Sequence, residues 1–285
     1  MSRAGSLPAQ ASRAGSLLAH ASWAAAWFSA RFKAGLQYRM AAWAGVFTQF
    51  VFGFARAMIL LAFYRVSTAG AAMDAAQAVT YVWLGQLFLR LLPWGDGELN
   101  EEVRSGQVAY SLLKPVPLLG QFFARSLASC TSSAALRVLP FLPIILILPP
   151  PFRMGLPVSV AAGLWWLASM ALAAGLSAAI NCALAAFCFK SILGDGARLL
   201  VGAFSSLLSG LIVPLPLLPG ALQAALIASP FAGLSDLPIR LYTGALPASM
   251  GALVLALQVF WCVAFLGLAH WQLRRNLKSL DILGS

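Results

Sequence analysis

The chain has 285 residues, of which 61% are hydrophobic and 9% charged, and a formal net charge of +11. About a quarter of residues are charged in a soluble domain, so this composition excludes a soluble enzyme or binding module and indicates an integral membrane protein. The basic residues sit at the ends of apolar runs, not among aromatics on a polar face. That excludes a nucleic-acid groove and leaves membrane topology as their explanation.

Residues 2–21 hold a ten-residue echo, SRAGSLPAQA followed by SRAGSLLAHA. A short duplicated tract of small residues buries no core and lacks the uninterrupted apolar stretch of a signal peptide. Residues 1–21 are therefore expected to be a disordered tail, with a natural start further on left open. From Ser22 to Arg39, Trp23, Trp27, Phe28, Phe32 and Leu36 recur at mostly helical spacing, with Arg31, Lys33, Gln37 and Arg39 between them. Basic and aromatic residues beside a span suit an amphipathic helix lying in the membrane interface.

Six apolar runs follow, near 41–63, 75–94, 118–148, 157–189, 198–218 and 248–272. Each approaches or exceeds the roughly 20 helical residues that cross a hydrocarbon core of roughly 30 Å. Strand alternation is absent, so the expected fold is all-α with six transmembrane helices. Pro140 and Pro143 give the third run a reason to bend. Between the last two, Pro219, Pro230 and Pro238 break the apolar chain, which predicts short helices dipping into one leaflet.

Orientation follows the positive-inside rule. With the N-terminus inside, the inner segments carry Arg3, Arg13, Arg31, Lys33, Arg39, Arg104, Lys114, Arg125, Lys190, Arg198, Arg274, Arg275 and Lys278. The outer loops carry Arg65, Arg153 and Arg240. Both termini are thus expected in the cytoplasm, together with Gly95–Pro115. That segment is the one sizeable polar island between long apolar runs, and holds Asp96, Glu98, Glu101 and Glu102 of the eight acidic residues.

Charges at membrane depth are costly and face protein or water. Arg56 falls in the first run and Arg137 in the third, the latter near Ser129, Thr131, Ser132 and Ser133. Arg56, Arg137 and Ser132 suit a polar translocation surface for anionic or amphiphilic cargo; snorkelling or helix–helix contacts are the alternative. Every acidic residue lies in a loop or at a span end, which removes the usual machinery of a proton-driven carrier. There is no phosphate-cradling GxxxxGK[ST] loop, no HExxH or GxSxG motif and no Cys/His cluster for a metal. The four cysteines fall within or beside apolar runs, as buried thiols would. No enzyme chemistry and no metal site is expected, and any energy must come from a partner.

Two stretches carry a family resemblance. Tyr81-Val82-Trp83-Leu84-Gly85-Gln86 leads through Pro93-Trp94 to Glu102-Val103-Arg104-Ser105-Gly106-Gln107-Val108-Ala109-Tyr110-Ser111-Leu112-Leu113-Lys114-Pro115. This resembles the segment after the second span of bacterial ATP-binding cassette (ABC) type-2 permeases, IRSG-x-x-x-Y-x-L-L-[RK]-P. The second stretch, Ser209-Gly210-Leu211-Ile212-Val213-Pro214-Leu215 with Leu218-Pro219 and Ser229-Pro230-Phe231, is similar to the same family. The resemblance covers residues 22–285. It departs at Val103 and Gln107, where Ile and Asp are common, and so weakens the case for a charge contact at position 107.

The resemblance implies a type-2 ABC exporter fold: an interfacial elbow helix, six spans, and a cytoplasmic coupling helix within 95–115 that meets a separate ATPase. The implied partners are ABC ATPase subunits, a second permease copy or homologue, and the lipid of a bacterial cytoplasmic membrane. ATP and Mg would be bound by the ATPase, and the cargo would be hydrophobic or amphiphilic. The coupling residues are expected to be Glu98, Glu101, Glu102, Arg104, Ser105 and Gly106. The three glutamates lie at i, i+3 and i+4, one face of a helix, where they could engage a basic cleft. Gly106 would break that helix, and Pro115 would end the next turn of chain. The reading from another class is a membrane scaffold or assembly protein without transport.

Overall fold

The computed structural model describes residues 23–66, 73–95, 97, 101–102, 105–114, 116–189 and 194–280. Every regular element among them is helical. In order these are α1 (23–35), α2 (Arg39–Val66), α3 (Ala75–Leu87), α4 (Val108–Leu112), α5 (Leu118–Ile147), α6 (Val160–Cys188), α7 (Gly194–Leu208), α8 (Gly220–Ala228), α9 (Asp236–Thr243) and α10 (Gly251–Leu280). Single 3-10 turns lie at Leu89–Leu91, Leu215–Leu217, Ala232–Leu234 and Ala248–Met250. The 1–21 tail lies outside the described residues.

Among the described residues, four stretches are helical, long and apolar enough to cross a membrane: Ala42–Val66, Leu118–Ile147, Val160–Cys188 and Ala248–Leu277. The second and fifth apolar runs of the sequence take a different form. α3 has 13 residues and gives way to the 3-10 turn and Pro93. α7 has 15 residues and stops before Gly210, whose φ of +80° is the left-handed conformation that glycine favours. Pro214, Pro216 and Pro219 then hold the chain out of a helix. Hydropathy counts apolar residues without registering where a glycine or proline ends the helix, which is why six apolar runs yield four long helices among the described residues. Pro140 and Pro143, by contrast, lie inside a continuous α5.

The bundle is built around α6. Of its most apolar window, 78% is buried, against 17–28% for the other three long helices. Its small residues, such as Ala173, Ala174, Ser177, Ala178 and Ala185, let neighbouring backbones approach closely. α10 packs most extensively against it, and α5, α7 and α9 also touch it. Gly251 of α10 sits where a Cβ would collide with the Trp165 ring. Deeper along the same seam, Gln258 Nε2 donates to the Ser169 and Gly233 carbonyls at 3.0 and 2.7 Å, and Ser169 Oγ donates to Gln258 Oε1 at 3.0 Å.

One end of the bundle gathers the start of α3, the 148–159 loop and α9. Gln77 Nε2 reaches the Thr243 carbonyl at 3.0 Å, Tyr242 Oη the Gly155 carbonyl at 3.1 Å, and the Val158 amide the Tyr242 carbonyl at 3.2 Å. The other end gathers α1, the turn at Gly95, α4, the start of α7 and the end of α10, where Asn276 Nδ2 donates to the Ala186 carbonyl at 2.8 Å.

Gln258 is fully buried and satisfies a carbonyl outside any regular α-helix, so its truncation strands that acceptor. Gln258→Ala is expected to lower the stability of the detergent-solubilised protein by about 1–3 kcal/mol, read as a loss of monodisperse protein at lower temperature. Ser169→Ala should cost less, because the Ser169 carbonyl still accepts from Gln258. An unchanged Gln258→Ala transition would show that the seam rests on apolar packing alone.

Candidate functional site: a basic cavity beside the Gly95–Pro115 segment

At the end that carries the charged segment, a cavity of about 800 Å³ opens between α1, the start of α2, the Arg90–Gly97 turn, α5 and α7. α5 supplies its wall by helical spacing alone. Arg125, Ser129, Ser132, Ser133, Leu136 and Arg137 recur at intervals of three and four and therefore share one face. Arg31 comes from α1, Arg90 from the 3-10 turn and Arg198 from α7, so five arginines line one cavity. Two glycines make the close fit possible. A Cβ at Gly35 would collide with Ser132, and one at Gly45 would lie 2.5 Å from Arg137 Nε. Arg137 thus lies against the α2 backbone.

The turn at Gly95, beside the cavity, is fixed by Asn181 of α6. Its Oδ1 accepts the Gly95 amide at 3.1 Å and its Nδ2 donates to Ser126 Oγ at 2.9 Å. Gly95 has a φ of +73°, and the Arg198 side chain occupies the place where a Cβ would point. Trp94 stays alongside through its Nε1 bond to the Leu89 carbonyl at 3.1 Å.

The expected coupling residues divide. Glu98 and Arg104 lie outside the described residues. Glu101 is exposed, whereas Glu102 turns inward and pairs with Arg125 at 2.7 Å, with 29% of the Glu102 side chain and 7% of Arg125 accessible. The two described glutamates therefore do not present a single acidic face. The reason is Arg125, a buried guanidinium that needs an anionic partner. Ser105 closes the turn begun at Glu101, with its amide and hydroxyl both donating to the Glu101 carbonyl at 2.8 and 2.7 Å. Gly106 follows at φ +74° with open space around it, the left-handed residue with which helices commonly end.

The rest of the segment is pinned from two sides. Gln121 Nε2 donates to the Ser111 and Val116 carbonyls at 2.9 and 3.0 Å, and Lys114 Nζ sits 4.4 Å above the Trp27 ring of α1. Tyr110 and Leu113 are left 72% and 82% exposed. Sequence reasoning missed this apolar surface because it followed the charges; the signal was the Tyr-x-Leu-Leu pattern itself.

Of the residues expected on a translocation surface, Ser132 and Arg137 meet in the cavity. Arg56 does not join them. It donates from NH1 to the Leu211 carbonyl at 3.1 Å, satisfying an acceptor exposed where the chain breaks at Gly210. Beside that break, Tyr81 Oη donates to Asp236 Oδ1 at 2.7 Å, and Arg240 NH1 lies 3.5 Å from Asp236 Oδ2. This buried triad was not foreseen, since Asp236 reads as a loop residue in sequence. Among the described residues, no cluster of His, Cys, Asp and Glu is arranged to hold a metal ion.

A family model described as ABC-2 family transporter protein matches residues 75–284, from the first turn of α3 through the charged segment to the end of α10. The chain belongs to the ABC-2 transporter family. It is a multi-pass membrane protein and a transport component. No curated protein and no solved structure gave a significant match. The matched stretch supplies Arg90, Arg125, Arg137 and Arg198 to the cavity, while Arg31 and the α1–α2 corner precede it.

The Glu102–Arg125 pair gives a test of how the ABC-2 segment is held. Glu102→Ala should lower stability by about 1–3 kcal/mol, because it leaves a buried guanidinium without that partner. Glu101→Ala should stay within about 0.5 kcal/mol, as exposed substitutions do. Denaturant titration in mild detergent reads both; equal effects would contradict the inward assignment of Glu102.

Proposed function

We propose that this chain is the membrane-spanning permease subunit of an ABC exporter, driven by ATP hydrolysis on a separate ATPase and moving a hydrophobic or amphiphilic substrate. The observation that carries the reading is the family match over residues 75–284. A permease of this type works against a partner ATPase and a second permease, so the functional unit is a dimer of permeases with two ATPases. The chain contributes no nucleotide-binding loop, and ATP and Mg belong to the partner.

In this reading both termini and the Gly95–Pro115 segment face the cytoplasm of a bacterial cell, α1 is the interfacial elbow helix, and the chain crosses six times. The two short crossings are α3 with its 3-10 extension and α7 with the turn at Gly210. Their walls favour this: Ala78–Leu87 are all buried, so α3 is sheathed by protein and need not match the full lipid thickness. The paired aromatics of α1, Trp23 with Trp27 at 5.5 Å and Phe28 with Phe32 at 5.7 Å, suit a helix lying at an interface.

The docking surface for the ATPase combines Glu101 with the exposed Tyr110 and Leu113. Aromatic and aliphatic anchors in a polar rim are the usual carriers of interface affinity. Ser105 and Gly106 shape the turn that presents them; Glu98 and Arg104, outside the described residues, are proposed to contribute with them. Tyr110→Asp with Leu113→Asp should leave the melting transition of the isolated chain unchanged, because both side chains are exposed. The same double variant should reduce co-purification of the partner ATPase at least about tenfold, the loss of one modest hot spot. Full retention of the ATPase by this variant would place docking elsewhere, with the 190–198 loop the next surface to try.

A further inference from the structure

We propose that the end of α7 is a gate that swings at Gly210 and, when closed, seats in a notch formed by Tyr81 of α3 and Asp236 of α9. This assignment rests on the permease reading and names an element that moves in it. The notch belongs to a tied layer. Gln77 bonds to Thr243 and Tyr242 to Gly155, which joins α3, the 148–159 loop and α9. Within that layer Tyr81 Oη donates to Asp236 Oδ1 at 2.7 Å. The end of α7 is latched to it by the Asp236 amide, which donates to the Ser209 carbonyl at 3.1 Å.

Just beyond, Arg56 of α2 holds the Leu211 carbonyl at 3.1 Å. Gly210 lies between these two holds with a φ of +80°, at the kind of element end that absorbs the backbone change of a hinge. A Cβ there would collide with Tyr81 Oη and lie 3.1 Å from Leu215 Cγ and 3.2 Å from Asp236 Cβ. The notch therefore fits a glycine and no larger residue.

Polar groups left unmet mark this junction as a gate. Ser205 Oγ, Ser209 Oγ and Arg240 Nε are buried, and none has a hydrogen-bond partner among the described residues. Ser205 and Ser209 stand one turn apart on the inward face of α7, and Arg240 follows Asp236 by one turn of α9. The Arg240–Asp236 pair is itself loose at 3.5 Å, well beyond the roughly 2.8 Å of a full charge-assisted bond. Buried donors without partners favour a state in which water reaches them. Swinging the end of α7 out of the notch hydrates these groups together, which brings the two positions closer in free energy. The outer face of α7 opposes the swing little, since Leu199, Phe204 and Leu207 are exposed. At its other end α7 carries Arg198 into the wall of the basic cavity, so the same swing reshapes that wall.

The test uses the full-length chain in lipid nanodiscs, with Cys262→Ser as the background because the other three cysteines are buried. Ser205→Cys and Ser209→Cys are each reacted with a positively charged methanethiosulfonate. Adding Tyr81→Phe should raise both rates at least about tenfold, the factor that follows from losing a hydrogen bond to a carboxylate. Gly210→Ala, which does not fit the notch, should raise them as well. Cys182, in the core beside α10, should stay unlabelled throughout. Unchanged rates in both variants would overturn the proposal. So would labelling of Cys182 in step with the introduced cysteines, which would mean general loosening of the bundle.

Hydrogen exchange on the unaltered chain avoids any folding defect in the variants. The Asp236 amide and the last turn of α7 should exchange ahead of the buried amides of α3, as a locally opening element does. Exchange at Asp236 as slow as that of α3 would also overturn the gate. None of these failures touches the permease reading, which is judged by association with the ATPase. Lost ATPase association with selective opening at Ser205 and Ser209 would do the reverse.

Discussion

A backbone carbonyl that leaves a helix inside a hydrocarbon layer has no water to turn to and must find a donor in the protein. Much of this structure obeys that constraint. Several carbonyls at helix ends and turns are met by a long polar side chain from a different element. Arg56 serves Leu211, Gln258 serves Gly233, Trp83 serves Phe152 at 2.7 Å, Tyr64 serves Met73 at 2.9 Å, and Gln49 serves Gln86 at 2.8 Å. These bonds allow α3 and α7 to be short and the chain between α7 and α10 to run as turns and brief helices. The small-residue stripe of α6 brings the donors within reach of their acceptors.

The two ends of the bundle use polar groups differently as a result. At the end with α9, polar side chains and backbone are stitched together, and the bonds tie α3, the 148–159 loop and α9 into one layer. At the other end, the polar groups are mostly cationic and surround open space. The first arrangement resists separation of its parts, whereas the second lines a cavity with arginines and serines.

Much of the architecture was legible in the sequence. Length and apolarity marked all four long helices, and the capping of α6 by Ser159, whose Oγ accepts the Ala162 amide at 3.1 Å, agrees with a start a few residues into its apolar run. The punctuation at Gly210 and Pro214 was also visible, yet hydropathy carried the fifth run through it. The α5 stripe from Arg125 to Arg137 could have been read from its spacing. Its meaning could not, because Arg31, Arg90 and Arg198 join it only through the tertiary fold. Glu102 illustrates the same gap: helical spacing grouped it with Glu101, but a buried arginine 23 residues away decided where it points. Asp236 reads as a loop residue because nothing local announces a tyrosine partner 155 residues earlier.

The account stands or falls on whether the chain works through a separate motor. The most direct measurement is ATP hydrolysis by the chain purified alone, by its partner ABC ATPase alone, and by the two reconstituted together in lipid. The account predicts no hydrolysis by this chain, a stable complex of the two, and turnover that disappears when the ATPase carries an inactivating change in its phosphate loop. Hydrolysis by the isolated chain after rigorous removal of any ATPase, or no complex under any lipid condition, would contradict it.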